Sequence, residues 1–418
     1  MATDVVASGY EVTADLGEAQ VVVLNTCGFI RDAVEESVAE ALELAEWRSL
    51  EEGRRLIVAG CMVSRYGNEF VESFPEADAV ISLADRHSLA SVISTLVGPP
   101  KTDESSRRAA RQSASVPTPH AYLMISDGCD RVCSYCTIPS IRGRYRSKAF
   151  EKVLNEADAM VRSGAREIIF IGQDITSWGK DLPDDPRTLV DLVDSVSETS
   201  GLNWLRLMYC QPNGLTDELL ELMARKRNIC NYLDIPLQHV SEDILRSMRR
   251  SGSPDELRAL IANIRTRVPD IILRTTFIAG FPGETRYHSS ELMKFVEETG
   301  FDYVGVFPFS PEHGTAAYDL PDQISSRTRV ARAQKIRDLA DSVAFEKNAG
   351  HVGRQMSVLS VGVDEEGMNI GRWAGQAPDI DGVVILDRVV PVGQFVQAII
   401  VDSLGYDLVG EVCSDQTF

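Results

Sequence analysis

The sequence predicts an α/β protein: a partial (β/α) barrel of six units, preceded by a smaller α/β domain with a parallel sheet and followed by a small β-barrel. Three observations predict it. Strand-like and helix-like runs alternate from residue 20 to about 345, the signature of parallel sheets. Six strand-like runs fall between 120 and 345, short of the eight that close a full barrel. After residue 349 the helical period disappears, and short β-rich runs are divided by Gly, Asp and Pro.

The first domain spans residues 1–100. QVVVLN (20–25), RLIVAG (55–60) and DAVISL (78–83) are its β-rich apolar runs. Between the first two, Val34, Val38, Leu42 and Ala45 recur at helical spacing and predict a helix buried through that stripe. Residues 99–119 have no apolar period and are rich in Pro, Ser, Ala and Arg, which sets a linker at 101–114. Its Arg107, Arg108 and Arg111 keep a solvated segment extended. The core domain, 115–346, carries AYLMIS, REIIFIG, WLRLMY, NYLDIP, IILRTTFIAG and FDYVGVFPF. Helical patterns such as 151–162 and 216–225 lie between them, giving the TIM-like order. The third domain, 349–415, carries VLSVGVD, GVVILD and FVQAIIVDS.

The chain has 418 residues, 44% of them apolar and 25% charged, the balance of an ordinary globular protein. No uncharged apolar run is long enough to span a bilayer, and MATDVVASGY lacks a basic region followed by an apolar core. A cytoplasmic protein without a membrane partner is expected. A net charge of −20 repels phosphate backbones at long range, so nucleic acid is disfavoured as the primary substrate and a basic protein is the easier fit. Eight cysteines are too few for a disulfide scaffold in a chain this long and point to metal binding or catalysis. Of these, Cys210, Cys230 and Cys413 lack a turn-like context and are expected to be ordinary buried thiols.

The strongest local signal is SDGCDRVCSYCTIPSIRGRYRSK at 126–148, which places Cys129, Cys133 and Cys136 in C-x-x-x-C-x-x-C spacing directly after the first core strand. Thiolates at these intervals in one short loop can take three corners of a cubane iron–sulfur cluster, leaving one iron open to a non-protein ligand. A zinc site would call for a second pair of cysteines or histidines, and none appears at a zinc-like spacing. Cys27 in NTCGFI and Cys61 in AGCMV each follow a parallel-strand run, so both emerge on one edge of the first sheet, where α/β folds place ligands.

The cysteine motif, with Tyr135 as the aromatic before Cys136, resembles that of the radical S-adenosylmethionine enzymes. That resemblance implies a 4Fe-4S cluster whose open iron is chelated by S-adenosylmethionine, an external one-electron donor, and release of a 5′-deoxyadenosyl radical. Polar or glycine-containing segments follow the strands: Gln173 and Asp174, Gln211 and Asn213, Gln238 and His239, Gly280 to Glu284, and Ser310 to Gly314. The segment FIAGFPGET resembles the family's region beside S-adenosylmethionine, which makes Tyr135, Gln173, Asp174, Gly280 and Glu284 the candidate contacts.

Over essentially the whole chain, NTCGFIRDAVEES, AGCMV, GQDITSWGKDL, YLDIPLQH, RTTFIAGFPGET and EHGTAAYDLPDQ resemble the methylthiotransferases, ending in a TRAM-like domain. CGFIRDA, CTIPSIRGRYRS and APDIDGVV are most similar to the RimO family, whose members methylthiolate the β-carbon of an aspartate in the twelfth protein of the small ribosomal subunit. The resemblance implies a second 4Fe-4S cluster as sulfur donor, and no general acid or base. Three cysteines of the family's first domain hold that cluster, the first of them in a loop after an opening strand. This sequence starts at what reads as the helix after that loop, so only Cys27 and Cys61 match and the second cluster is expected to be incomplete in this chain. The rivals are the sister family that modifies adenosine in transfer RNA and a non-catalytic iron–sulfur protein. Residues 349–418 hold three arginines against ten acidic residues, a net of −7, which favours a basic protein substrate over RNA.

Overall fold

The computed structural model describes residues 2–100 and 118–413, with side chains from residue 5 onward, so the linker and its arginines lie outside the described residues. The first described element is a helix, Ala2–Ala7. Strands β1 (Val21–Thr26), β2 (Arg55–Gly60) and β3 (Ala79–Ser82) form a parallel sheet in that order. Thr26 pairs with Gly60, so Cys27 and Cys61 leave the sheet at the same edge.

The helix Arg31–Ser49 forms where expected but buries a different stripe. Ser37, Ala41, Leu44 and Trp47 are buried, whereas Val38 and Leu42 are 38% and 53% exposed. Two overlapping i, i+3/i+4 stripes compete on this helix. The one ending at Trp47 wins because its indole both packs and donates Nε1–H to Leu16 O at 2.9 Å.

The core begins with β4 (His120–Met124). A short antiparallel pair, β5 (Ser126–Asp127) and β6 (Arg146–Ser147), then pinches off the cysteine loop. Strands β7 (Glu167–Ile171), β8 (Trp204–Leu207), β9 (Ile229–Gln238), β10 (Ile272–Ala279) and β11 (Tyr303–Pro308) complete a parallel sheet in the order β11-β10-β9-β8-β7-β4. All six expected units are present, and the outermost strands, β11 and β4, do not pair with each other. Side chains alternate across this sheet. Ile168, Phe170, Leu205, Leu207, Leu233 and Leu273 meet the helices outside. Ile169, Trp204, Met208, Tyr232, Ile272 and Tyr303 face inward and pack against Leu359 and Ala377 of the third domain.

That domain is a closed barrel of β12 (Gln355–Val363), β13 (Asn369–Trp373), β14 (Val384–Leu386), β15 (Phe395–Leu404) and β16 (Asp407–Val412). Sequence patterning finds β12, β14 and β15. It misses NIGRW and DLVGEV, whose apolar positions are diluted by Gly, Arg, Asp and Glu.

The junction with the core is ionic and buried. Glu167, the first residue of β7, accepts from Arg206 Nε at 2.7 Å and from Arg372 Nη2 at 2.6 Å. Burial alone would raise the Glu167 carboxyl, but the two guanidinium groups hold it below the usual carboxylate range. Beside it, Tyr232 Oη donates to Asp381 at 2.7 Å. Among the described residues no helix is long and apolar enough to cross a membrane. Cys210 and Cys230 are buried as expected, but Cys413 is only half-buried, because it lies just past the end of β16, outside the barrel wall.

Candidate active site

The cysteine loop stands at the carboxyl end of β4 and is fastened at both ends. Gly128 has φ +78°, and a Cβ there would run into the backbone carbonyls of Gly143 and Arg144, so only glycine fits where β5 and β6 close the loop. Cys129 N donates to Gly143 O at 3.2 Å, and Cys136 N donates to Cys133 O at 3.2 Å. Ser134 anchors the middle of the loop, its Oγ donating to Ser247 O at 2.8 Å. Cys129, Cys133 and Cys136 are all half-buried. Burial pushes the Cys129 thiol up and the Cys136 thiol to about 11, and in both the neighbouring Cys133 adds to the rise. Tyr135 packs its ring against the cluster of Ile244, Met248, Phe281 and Phe309.

The strand-end candidates divide by how their polar atoms are used. Gln173 keeps its Oε1 buried without a hydrogen-bond partner. Asp174 instead accepts from Arg131 Nε, Ser177 Oγ and Thr176 Oγ1, at 2.8, 2.8 and 2.5 Å, so it braces the cysteine loop against the end of β7. Gly280 N donates to Glu284 Oε2 at 2.5 Å, and Arg332 Nη1 reaches Glu284 Oε1 at 2.9 Å. Glu284 is therefore committed to shaping its own loop. His239 Nδ1 accepts from Ser241 N at 3.0 Å, and burial keeps the ring neutral, with its pKa lowered to about 3.

Several functional neighbours are invisible to motif reading. Arg250 places Nη1 4.0 Å from Cys133 Sγ while Nη2 donates to Gln211 Oε1 at 3.0 Å. Arg131, Cys133, Gln211, Asn213, Arg249 and Arg250 share a cavity of about 260 Å³. The only sequence signal for these arginines is their position within or after turn-rich segments, which is no guide to which thiol they meet.

The first domain sits on the same loop. A Cβ on Gly28 would lie 2.6 Å from Met62 N and 2.7 Å from Cys61 C, so glycine lets the Cys27 and Cys61 turns touch. Arg65 and Glu312 form a buried ion pair at 2.8 Å, and Thr137 Oγ1 donates to Phe29 O at 3.0 Å. Arg142 bridges the domains: Nη1 donates to Asp127 Oδ1 at 2.8 Å and Nη2 lies 3.8 Å from Cys61 Sγ. Cys27, Cys61, Cys129, Cys133 and Cys136 are thus gathered at one end of the core, whereas Cys210 lies in the sheet–helix core and Cys230 on the inner sheet face.

Comparison with known proteins agrees with this layout. Residues 123–296 match the Radical SAM superfamily, 352–413 the TRAM domain, and 1–82 the uncharacterized protein family UPF0004. "Ribosomal protein uS12 methylthiotransferase RimO" of Trichlorobacter lovleyi is 41% identical over 97% of this chain and 93% of its own length. The chain belongs to the RimO family. The RimO proteins of Geobacter sulfurreducens, 41% identical over 97% of this chain and 93% of the relative, and Bdellovibrio bacteriovorus, 35% over 99% and 93%, agree. A solved radical S-adenosylmethionine methyltransferase, TsrM from Kitasatospora setae, has the same fold. It superposes with a TM-score of 0.51 at 15% identity, over 71% of this chain and 66% of that one.

Membership makes the chain a radical S-adenosylmethionine transferase, and that chemistry uses a 4Fe-4S cluster. Among the described residues no three His, Cys, Asp or Glu converge as they would on a single metal ion. A cubane asks for something different, since each thiolate binds its own iron. Three half-buried thiols on one clamped loop, with Arg250 beside Cys133, fit such a group.

Proposed function

We propose that this chain methylthiolates the β-carbon of an aspartyl residue in ribosomal protein uS12. The reading rests on the RimO relatives along almost the whole chain and on one geometric observation. Arg142 joins the loop of Cys129, Cys133 and Cys136 to Cys61, so a radical-generating site and a sulfur-supplying site would face one another across one guanidinium. Forming a carbon–sulfur bond requires that juxtaposition.

In this reading Cys129, Cys133 and Cys136 hold the core 4Fe-4S cluster, and Cys27 and Cys61 contribute two ligands to the auxiliary one. Once bound at Cys129, Cys133 and Cys136 with S-adenosylmethionine, the core cluster would supply the electron, received from an external donor, for cleavage of the sulfonium. The chain's own residues position and shield. Gln173, with its free carbonyl oxygen, is the strand-end group available to S-adenosylmethionine, and Tyr135 walls the site. Asp174 and Glu284 act through Arg131 and the Gly280 loop, and so bind the cofactor only indirectly. The acidic third domain faces a basic protein partner.

The test is anaerobic incubation of the reconstituted protein with S-adenosylmethionine and reductant, uS12 and transfer RNA being supplied in parallel and read by mass spectrometry. A methylthio group on a uS12 aspartate, with binding that weakens as salt is added, is expected. Modified transfer RNA with uS12 untouched would move the chain to the sister activity.

A further inference from the structure

Tyr209 lies two residues beyond β8 with φ +59°, a left-handed conformation that is an outlier for a bulky aromatic. Such strain persists only where surrounding contacts over-determine it, and it concentrates at functional sites. Three backbone bonds impose it here. Tyr209 N donates to the Asp234 carboxylate at 3.2 Å, Cys210 N donates to Asp234 O at 2.8 Å, and Ile175 N donates to Tyr209 O at 3.4 Å. On the adjacent strand Gln238 is also left-handed, with φ +72°.

The turn has a consequence for direction. Met208 packs inward, so regular alternation would send the Tyr209 ring outward and return Cys210 inward. Cys210 instead packs outward, so the left-handed turn reverses the alternation and gives the ring an inward place. The phenol comes within electrostatic reach of Asp234 and Arg274, which cluster at the inner face, and burial followed by Asp234 raises its pKa. Yet Tyr209 remains 46% exposed between two buried neighbours, with Phe307 of β11 53% exposed.

The charges on this inner face are paired with one another, although Arg206 Nη2 and Arg274 Nε have no hydrogen-bond partner among the described residues. Arg274 lies 3.3 Å from Asp234 and 3.6 Å from Asp381, while Arg206 and Arg372 hold Glu167. A carboxylate entering the half-barrel therefore meets balanced ion pairs, and the neutral Tyr209 hydroxyl is a donor without a hydrogen-bond partner among the described residues. We propose that Tyr209 is a substrate-contacting residue whose hydroxyl holds the carboxylate of the target aspartyl side chain, fixing its β-carbon inside the half-barrel. The assignment rests on the uS12 reading and names the group that selects aspartate within it.

The experiment is a double-mutant cycle on binding, using the full 418-residue protein and whole uS12. Wild-type protein should bind uS12 about tenfold more tightly than uS12 with the target Asp changed to Asn, the loss of one charge-assisted hydrogen bond. Tyr209→Phe should bind the two alike. Tyr209→Gly should lose the same discrimination while its Tm equals or exceeds that of wild type, since glycine takes φ +59° freely. Wild-type discrimination retained by Tyr209→Phe overturns the assignment and leaves the uS12 reading standing. Failure of the wild type to bind uS12 at all overturns that reading, and the Tyr209 assignment with it.

Discussion

A thiol pushed up to about 11 by burial, as at Cys136, keeps its proton at neutral pH until a metal displaces it. Three cysteine ligands on one loop leave no redundancy. Cys133→Ala is expected to lose about four irons per chain and all release of 5′-deoxyadenosine, checked by iron assay and chromatography. Undiminished 5′-deoxyadenosine from that variant would remove Cys133 from the site. These cysteines were legible because the spacing itself carries the chemistry. Asp174 and Glu284 were legible as functional positions but not as braces, since their role depends on Arg131 and Arg332, which are 43 and 48 residues away. Arg142 and Arg250 were not legible at all. A guanidinium takes its meaning from the group it reaches, and Arg142 reaches 81 residues back to Cys61.

Elements were read well where burial follows one simple period. The six core strands alternate between a helix-covered face and an inner face, and both faces are apolar enough to stand out. Reading failed where two patterns overlap, as on the helix Arg31–Ser49, and where a short strand needs few apolar residues because barrel closure satisfies its backbone, as in β13 and β16. The segment from the end of β7 to the cysteine loop depends on one carboxylate. Asp174→Asn leaves the half-exposed Arg131 without its charge partner and should cost about 2 kcal/mol, less than a fully buried pair because water reaches the guanidinium. Urea unfolding measures it, and an unchanged midpoint would show that the loop is held by its backbone bonds alone.

At the scale of the whole molecule, the domain order was legible from composition and periodicity, but the joint between the core and the third domain was not. Glu167, Arg206 and Arg372 are far apart in sequence, and nothing local marks them as partners. Nearby, burial lifts the Asp381 carboxyl from 3.8 to about 6. Between those values the folded chain holds a proton that the unfolded chain has released, so this group's contribution falls as pH rises from about 4 to about 6. Asp381→Asn should flatten that stretch of the Tm profile, whereas a profile parallel to wild type would mean that Asp381 is ionised throughout. The same buried joint has a mechanical meaning. A hinge tolerates neither buried ion pairs nor side chains keyed into a sheet, so the two bodies move as one piece. On the proposed reading such a protein is a caliper: the third domain is the jaw that grips uS12, the core is the jaw that holds the chemistry, and the gap between them does not adjust. On that reading, moving the target aspartate a residue or two along the uS12 chain would carry it out of reach, however tightly the rest of the partner is gripped.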